Sequence, residues 1–291
     1  MPSSSADPND LIVASLFIRL PRSSVKHAYA FGYKGFQLAL DVPAPYELWC
    51  TANDCEQIQQ TRAAQNHSTT THLFDIDAVW RLAARRLDVS VDQLRRATTR
   101  SIVTRHCPSA ELVLIWLAKP LIVELAMEAR PDHDRFAWLD TGFNVYRVLK
   151  KPPPRPPPWH SFWPERGLAV RMLPGACHND PLRPGANHTQ CPVGTFLYGT
   201  RASWRRFNRR YLERVRQLVL ADTRRGMLCL DQDVIADVLA HHPGDRLAEE
   251  FTTSDAAGWG WKRAQRANAT CSGELINMGN RCVLNSTQMV G

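Results

Sequence analysis

WLAKPLIVELAMEARPDHDRFAWLDTGFN, from Trp116 to Asn144, reads as a helix, a break and a strand in that order. Ser109, just upstream, is an N-cap for a helix that begins with Glu111 to Ala118. Pro120 is expected to kink or restart that helix, because it lacks an N–H and its ring crowds the preceding turn. The helical pattern then continues to about Arg130, and Pro131 to Asp134 breaks it. Phe136 to Leu139 (FAWL) forms an apolar strand that ends at Asp140, Thr141 and Gly142. At the carboxyl end of a parallel strand, a carboxylate faces the ligand crevice. Asp140 in that position could hold a divalent cation on a diphosphate, since Mg²⁺ and Mn²⁺ take hard oxygen ligands. The plainer alternative is a turn aspartate. Asp132-His133-Asp134 has a D-x-D pattern but precedes the strand, so it reads as loop.

Working outward, Leu11 to Ile18 (LIVASLFI) and Tyr46 to Cys50 (YELWC) read as buried strands, with helix-compatible sequence around 25–40 between them. Asp54 is expected to cap a helix running to about Arg62. Thr71 to Phe74 is a third strand, and a basic amphipathic helical region runs from Asp75 or Asp77 to about Arg100. On the carboxyl side, KPPPRPPP at 151–158 favours an extended, exposed connector. Trp159, Phe162 and Trp163 are expected to pack it onto the body. Arg166 to Leu173 reads as strand, Cys177 to Gln190 as turns, Gly194 to Tyr198 as strand, and Ser203 to Leu220 and Asp231 to Ala240 as helices. Strands alternating with helices predict an α/β fold with a mainly parallel central sheet flanked by helices. The expected layout is a tail over 1–10, one domain over 11–253 and an irregular segment over 254–291.

Composition agrees with a folded protein. Of 291 residues, 44% are hydrophobic and 22% charged, which excludes wholesale disorder. Lys119, Pro120 and Glu124 interrupt the most apolar stretch, Leu112 to Met127, so it falls short of the about 20 apolar residues of a membrane span. The net charge of +8 suits anionic partners without choosing among them. Met1 to Asp10 carry no basic-then-apolar signal. The expected compartment is therefore the cytoplasm, or a secretory lumen if an anchor lies outside this sequence. Eight cysteines and four N-x-S/T triplets, at Asn66, Asn187, Asn268 and Asn285, hint at the lumen and at a glycoprotein.

Several motifs fail. There is no GxGxxG and no GxSxG. GTFLYGT at 194–200 places Thr200 where a phosphate loop needs Lys, and its centre reads as strand. No CxxC pair marks a zinc ribbon. His106-Cys107 and Cys177-His178 fit structural or disulfide roles better than nucleophilic ones. Trp204, Phe207 and Tyr211 make one apolar stripe on an arginine-rich helix. That spacing sends the aromatics to the core rather than to stacking on nucleic acid. A second carboxylate site is Asp231-Gln232-Asp233 at a helix start, where Asp231 is either a cap or a group aimed into a cleft.

The order of these pieces resembles nucleotide-sugar glycosyltransferases of the GT-A type, and most of all the HtrL/YibB group. The resemblance rests on Leu11 to Arg22 with Tyr46 to Asn53, on Trp116 to Asn144 with its W-x-x-K-P helix and W-L-D-x-G strand end, and on Gly194 to Pro243. It implies a GT-A-like domain that moves a sugar from a nucleotide-diphosphate donor to a hydroxyl of a glycan, lipid or protein. It also implies Mn²⁺ or Mg²⁺ at Asp140 and cofactor-side roles for Arg62, Lys119 and Asp140. Asp231 and Gln232 would face the donor sugar, and His241 or His242 could complete the metal site. Gly142 stands where a full D-x-D would have its second Asp. The alternative is a catalytically inactive GT-A-like module for sugar binding or assembly.

Overall fold

The computed structural model describes residues 10–21, 42, 44–102, 107–140, 167–174, 190–221, 228–229, 231–242, 245, 247–250, 276–277 and 281–282. The expectations for residues 1–9, 25–40, 141–144, 151–163 and 177–189, and most of those for 254–291, lie outside them. Every residue of β1 (Leu11–Phe17) and β2 (Tyr46–Cys50) is buried. Continuous apolar runs of this kind suit strands covered on both faces. β3 (Thr69–Leu73), β4 (Arg135–Leu139), β5 (Leu168–Pro174), β6 (Gln190–Thr200) and β7 (Ala248–Glu250) complete the sheet. Its order is β3-β2-β1-β4-β6-β5-β7. β6 alone runs against its neighbours, pairing antiparallel with β4 and β5. The chain is thus α/β with a mainly parallel sheet. A separate two-stranded ladder, β8 (Ile276–Asn277) with β9 (Arg281–Cys282), lies in the stretch expected to be irregular.

Side chains alternate across a strand, and the core divides accordingly. Phe17, Leu48 and Cys50 pack with Cys55 and Ile58 of α1 (Ala52–Ala63). Leu16 and Trp49, one residue out of phase, join the larger cluster. That cluster takes in α2 (Ile76–Leu87), α3 (Val91–Arg100), α4 (Ala110–Ala129), α5 (Arg201–Leu220) and α6 (Asp231–His241).

Local chemistry sets the helix boundaries. Thr51, not Asp54, stands at the N-cap of α1. Asp54 sits in the first turn and accepts from Thr51 Oγ1 at 2.7 Å. The helical region expected to reach Arg100 is made of two helices. Asp88 adopts a left-handed φ of 53° at the end of α2. Ser90 and Gln93 then form a reciprocal capping box that starts α3. Ser109 caps α4, accepting from the Leu112 N–H at 3.1 Å. α4 runs through Pro120 as one helix, with the Asn208 amide donating to the Pro120 carbonyl at 3.0 Å. GTFLYGT lies within β6, so it is strand and not a phosphate loop.

α5 presents Trp204, Phe207 and Tyr211 to the core, each at most 1% exposed. The Trp204 indole donates to the Phe136 carbonyl at 2.9 Å and the Tyr211 hydroxyl to the Leu117 carbonyl at 3.3 Å. Arg201, at the start of α5, closes the carboxyl end of α4. It donates to the carbonyls of Met127 at 2.8 Å, Arg130 at 2.5 Å and His133 at 2.7 Å. Arg201→Ala strands all three and should cost about 2 kcal/mol. Urea unfolding checks this, and a loss below about 0.5 kcal/mol would show that water replaces the guanidinium freely.

Two disulfides fix the ends of elements. Cys50–Cys55 ties the carboxyl end of β2 to the first turns of α1. Cys107–Cys229 joins the segment before α4 to the segment before α6. The disulfide reading of Cys107 thus replaces any nucleophilic one.

Candidate active site at the carboxyl end of β4

β1 is followed by β2 on one side, while β4 lies on its other side. The strand order therefore reverses between β1 and β4, and ligands of open α/β sheets bind outside the carboxyl ends at such a point. The Ser15 hydroxyl donates to the Leu139 carbonyl at 2.7 Å and holds the two strand ends together. Asp140 is the next residue.

Lys119 reaches this place from the middle of α4. Its Nζ donates to Asp231 Oδ2 at 2.7 Å, to Asp140 Oδ2 at 3.1 Å and to the Gly194 carbonyl at 3.2 Å. The Trp138 ring lies 5.9 Å away. One ammonium thus joins α4, β4, β6 and the first residue of α6. The Lys119 side chain is 3% exposed, against 17% for Asp140 and 9% for Asp231. Burial alone would push the lysine pKa down. Asp140 and Asp231 outweigh it and hold the pKa well above the ordinary lysine range, so the group stays charged.

The close approach of α6 depends on Gly194. A Cβ there would lie 2.0 Å from Asp231 Oδ2, so a side chain at 194 and the carboxylate exclude each other. Asp231 opens α6, but its carboxylate is committed to Lys119. Gln232, next to it in the first turn, is buried as well. The structure thus brings together Lys119, Asp140 and Asp231 from the sequence reading and adds Gly194, with Gln232 the residue after Asp231. Sequence reasoning read GTFLYGT as strand and as a failed phosphate loop, and missed that its first glycine makes room for a carboxylate.

Two expected residues lie elsewhere. Arg62 is 0% exposed. Its guanidinium donates to the carbonyls of Ala44 at 2.6 Å and Val42 at 3.1 Å and to Thr69 Oγ1 at 2.5 Å, and it stacks 3.8 Å from the Tyr46 ring centroid. These partners surround the amino ends of β2 and β3, the opposite end of the sheet from Asp140. Arg62 there acts as a strut. His241 closes α6, about 15 Å of helix from Asp231 at 1.5 Å per residue. Its Nδ1 faces the Asp237 carbonyl at 2.8 Å.

Two further polar groups lie on the β1–β2 side of the sheet. At the rim beyond β1 and β2, Arg19 Nε donates to Asp54 Oδ1 at 2.6 Å. Near the start of β2, buried Glu47 accepts from Arg130 Nε at 2.5 Å and lies 2.5 Å from His72 Nε2. Burial pushes the Glu47 carboxyl up, but hydrogen bonds with His72 and Arg130 prevail and hold it below the usual range.

Mouse xyloside xylosyltransferase 1, in its apo form, is similar at a TM-score of 0.49 and 11% identity, covering 84% of this chain and 86% of that one. No family model and no curated protein matches the sequence.

Proposed function

We propose that the chain is a glycosyltransferase of the GT-A type, resembling the HtrL/YibB group, that uses a nucleotide-sugar donor and a hydroxyl acceptor. The observation that carries this reading is the carboxylate pair Asp140 and Asp231, held by one buried lysine at the strand-order reversal. In the reaction, the acceptor oxygen bonds to the sugar's anomeric carbon, the bond from that carbon to the diphosphate breaks, the nucleoside diphosphate leaves, and the acceptor's hydroxyl proton passes to base. Asp140, the more exposed carboxylate, lies toward the diphosphate side, with the Lys119 ammonium beside it to offset its charge. Asp231 and Gln232 orient the donor sugar. Lys119 is a positioning residue that fixes both carboxylates. Preorganised positive charge stabilises a leaving diphosphate without rearrangement, and in this cluster the Lys119 ammonium, held by the two carboxylates, supplies it.

Among the described residues, the donor set at Asp140 does not fit a divalent ion. No group of three or more His, Cys, Asp or Glu side chains converges there. The Lys119 ammonium is already on Asp140 Oδ2, and His241 is directed elsewhere. No step is therefore routed through a metal.

The test is a thermal-shift panel of UDP-, GDP- and CMP-sugars, each with and without Mn²⁺. A donor at 100 times its Kd stabilises the native state by about 2.7 kcal/mol, or roughly 5 °C in a domain of this size. One nucleotide should produce that shift. Asp140→Asn should abolish turnover of the same donor with the melt nearly unchanged. No shift with any donor would favour an inactive sugar-binding or assembly module, and turnover by Asp140→Asn would sink the role of that carboxylate.

A further inference from the structure

Asn66 lies at the turn between α1 and β3, at the end of the sheet away from Asp140. It has a φ of 60°. The Asn66 N–H donates to the Ala63 carbonyl and the His67 N–H to the Arg62 carbonyl, the pattern of a helix stopped by one left-handed residue. Asn tolerates that conformation through its short polar side chain. The stop alone would account for an Asn or a Gly here. It does not account for the rest of Asn66-His67-Ser68. Asn66 and Ser68 are both exposed, and no contact among the described residues engages the Asn66 carboxamide.

A second observation concerns redox state. Cys50–Cys55 and Cys107–Cys229 are both bonded, and structural disulfides form in the secretory lumen and persist outside the cell. The acceptor pattern N-x-S/T is used in that same lumen.

We infer that Asn66 is an N-glycosylation site. Asn66 Nδ2 bonds to the anomeric carbon of an oligosaccharide carried on a lipid diphosphate. The bond from that carbon to the diphosphate oxygen breaks, the lipid diphosphate leaves, and one amide proton passes to base. The glycan then projects from the turn that closes the amino end of β3. The sheet separates it from the Lys119 cluster, so the crevice stays open. This assignment is independent of the transferase reading.

The test is expression of the full chain behind a secretory leader in eukaryotic cells, followed by peptide mass spectrometry of the lumenal protein. The expected result is glycan at Asn66, removed by peptide N-glycosidase with conversion of Asn66 to Asp, together with Cys107–Cys229 and Cys50–Cys55 linked peptides. Asn66→Gly keeps the left-handed turn at no steric cost and should abolish the modification without lowering the melting temperature. Ser68→Ala should abolish it while Asn66 remains. Donor thermal shifts should be the same in Asn66→Gly and the parent. Unmodified Asn66 in the lumenal chain overturns the inference, as does modification that persists in Ser68→Ala.

Discussion

Lys119→Met should lower the unfolding free energy by about 3–5 kcal/mol, the range seen when one partner is removed from a buried ion pair. The loss does not come from the Coulomb energy of the pair as such. Methionine fills much of the same volume, but it leaves two carboxylates facing each other in a place with little water. The carboxylates themselves are worth less one at a time. Asp140→Asn leaves Lys119 its nearer partner, Asp231, at 2.7 Å. Asp231→Asn leaves only the longer contact to Asp140, at 3.1 Å. The expected order of destabilisation is therefore Lys119→Met, then Asp231→Asn, then Asp140→Asn. The double variant Lys119→Met with Asp231→Asn should recover part of the loss, because it also removes an uncompensated charge. Gly194→Ala should behave like a damaged Asp231, since its Cβ takes the carboxylate's place. Urea unfolding of the series decides. A Lys119→Met variant within about 1 kcal/mol of the parent would mean that the carboxylates are solvated and the lysine is dispensable.

The second large effect belongs to Cys107–Cys229. Its partners are 122 residues apart, against 5 for Cys50–Cys55. Restricting the unfolded chain over the longer loop is worth about 5 kcal/mol, and over the shorter one about 2 kcal/mol, if the stabilisation is loop-closure entropy. Cys107→Ala with Cys229→Ala should thus cost more than twice as much as Cys50→Ala with Cys55→Ala. Alanine suits these positions because all four cysteines are buried. The longer bridge also ends two residues before Asp231, so its loss should weaken donor-induced thermal shifts in proportion to the disorder it introduces there. Calorimetry under non-reducing conditions measures both pairs. Equal losses would show that the entropic account fails for this chain.

The fold was legible where periodicity and length agreed. β2 falls at Tyr46–Cys50, as YELWC predicts, and α6 starts at Asp231 as expected. The exception within the helices was the junction of α2 and α3. Both are amphipathic, and the pattern continues across Asp88 and Ser90 without losing its apolar face. Only the Ser90 and Gln93 pair signalled a new start. At Pro120, expected to kink or restart the helix, the helix runs on without a restart. The helix around it is apolar on all sides and buried, so tertiary packing outweighs the missing backbone bond. At the site, Asp140 and Asp231 could be named from the ends of elements. Lys119 was named only through the family resemblance, and the glycine that admits the Asp231 carboxylate was not, because nothing local links positions 119, 194 and 231. Arg62 shows the reverse case. A basic residue after a strand suggested a ligand contact, but its position in the last turn of α1 directs it to the carbonyls at the amino end of the sheet.

The long reach of Cys107–Cys229 also sets an order of events during synthesis. A chain made at about 5–20 residues per second delivers Cys55 within a second or so of Cys50. Cys107 waits on the order of 6–24 s for Cys229 at the same rate, and Cys177 and Cys191 emerge during the interval. In an oxidising compartment those two thiols are the first ones Cys107 meets. Reaching the native bridge then depends on thiol exchange after Cys229 arrives. The yield of correctly folded protein should therefore follow the supply of disulfide isomerase more closely than the supply of oxidant.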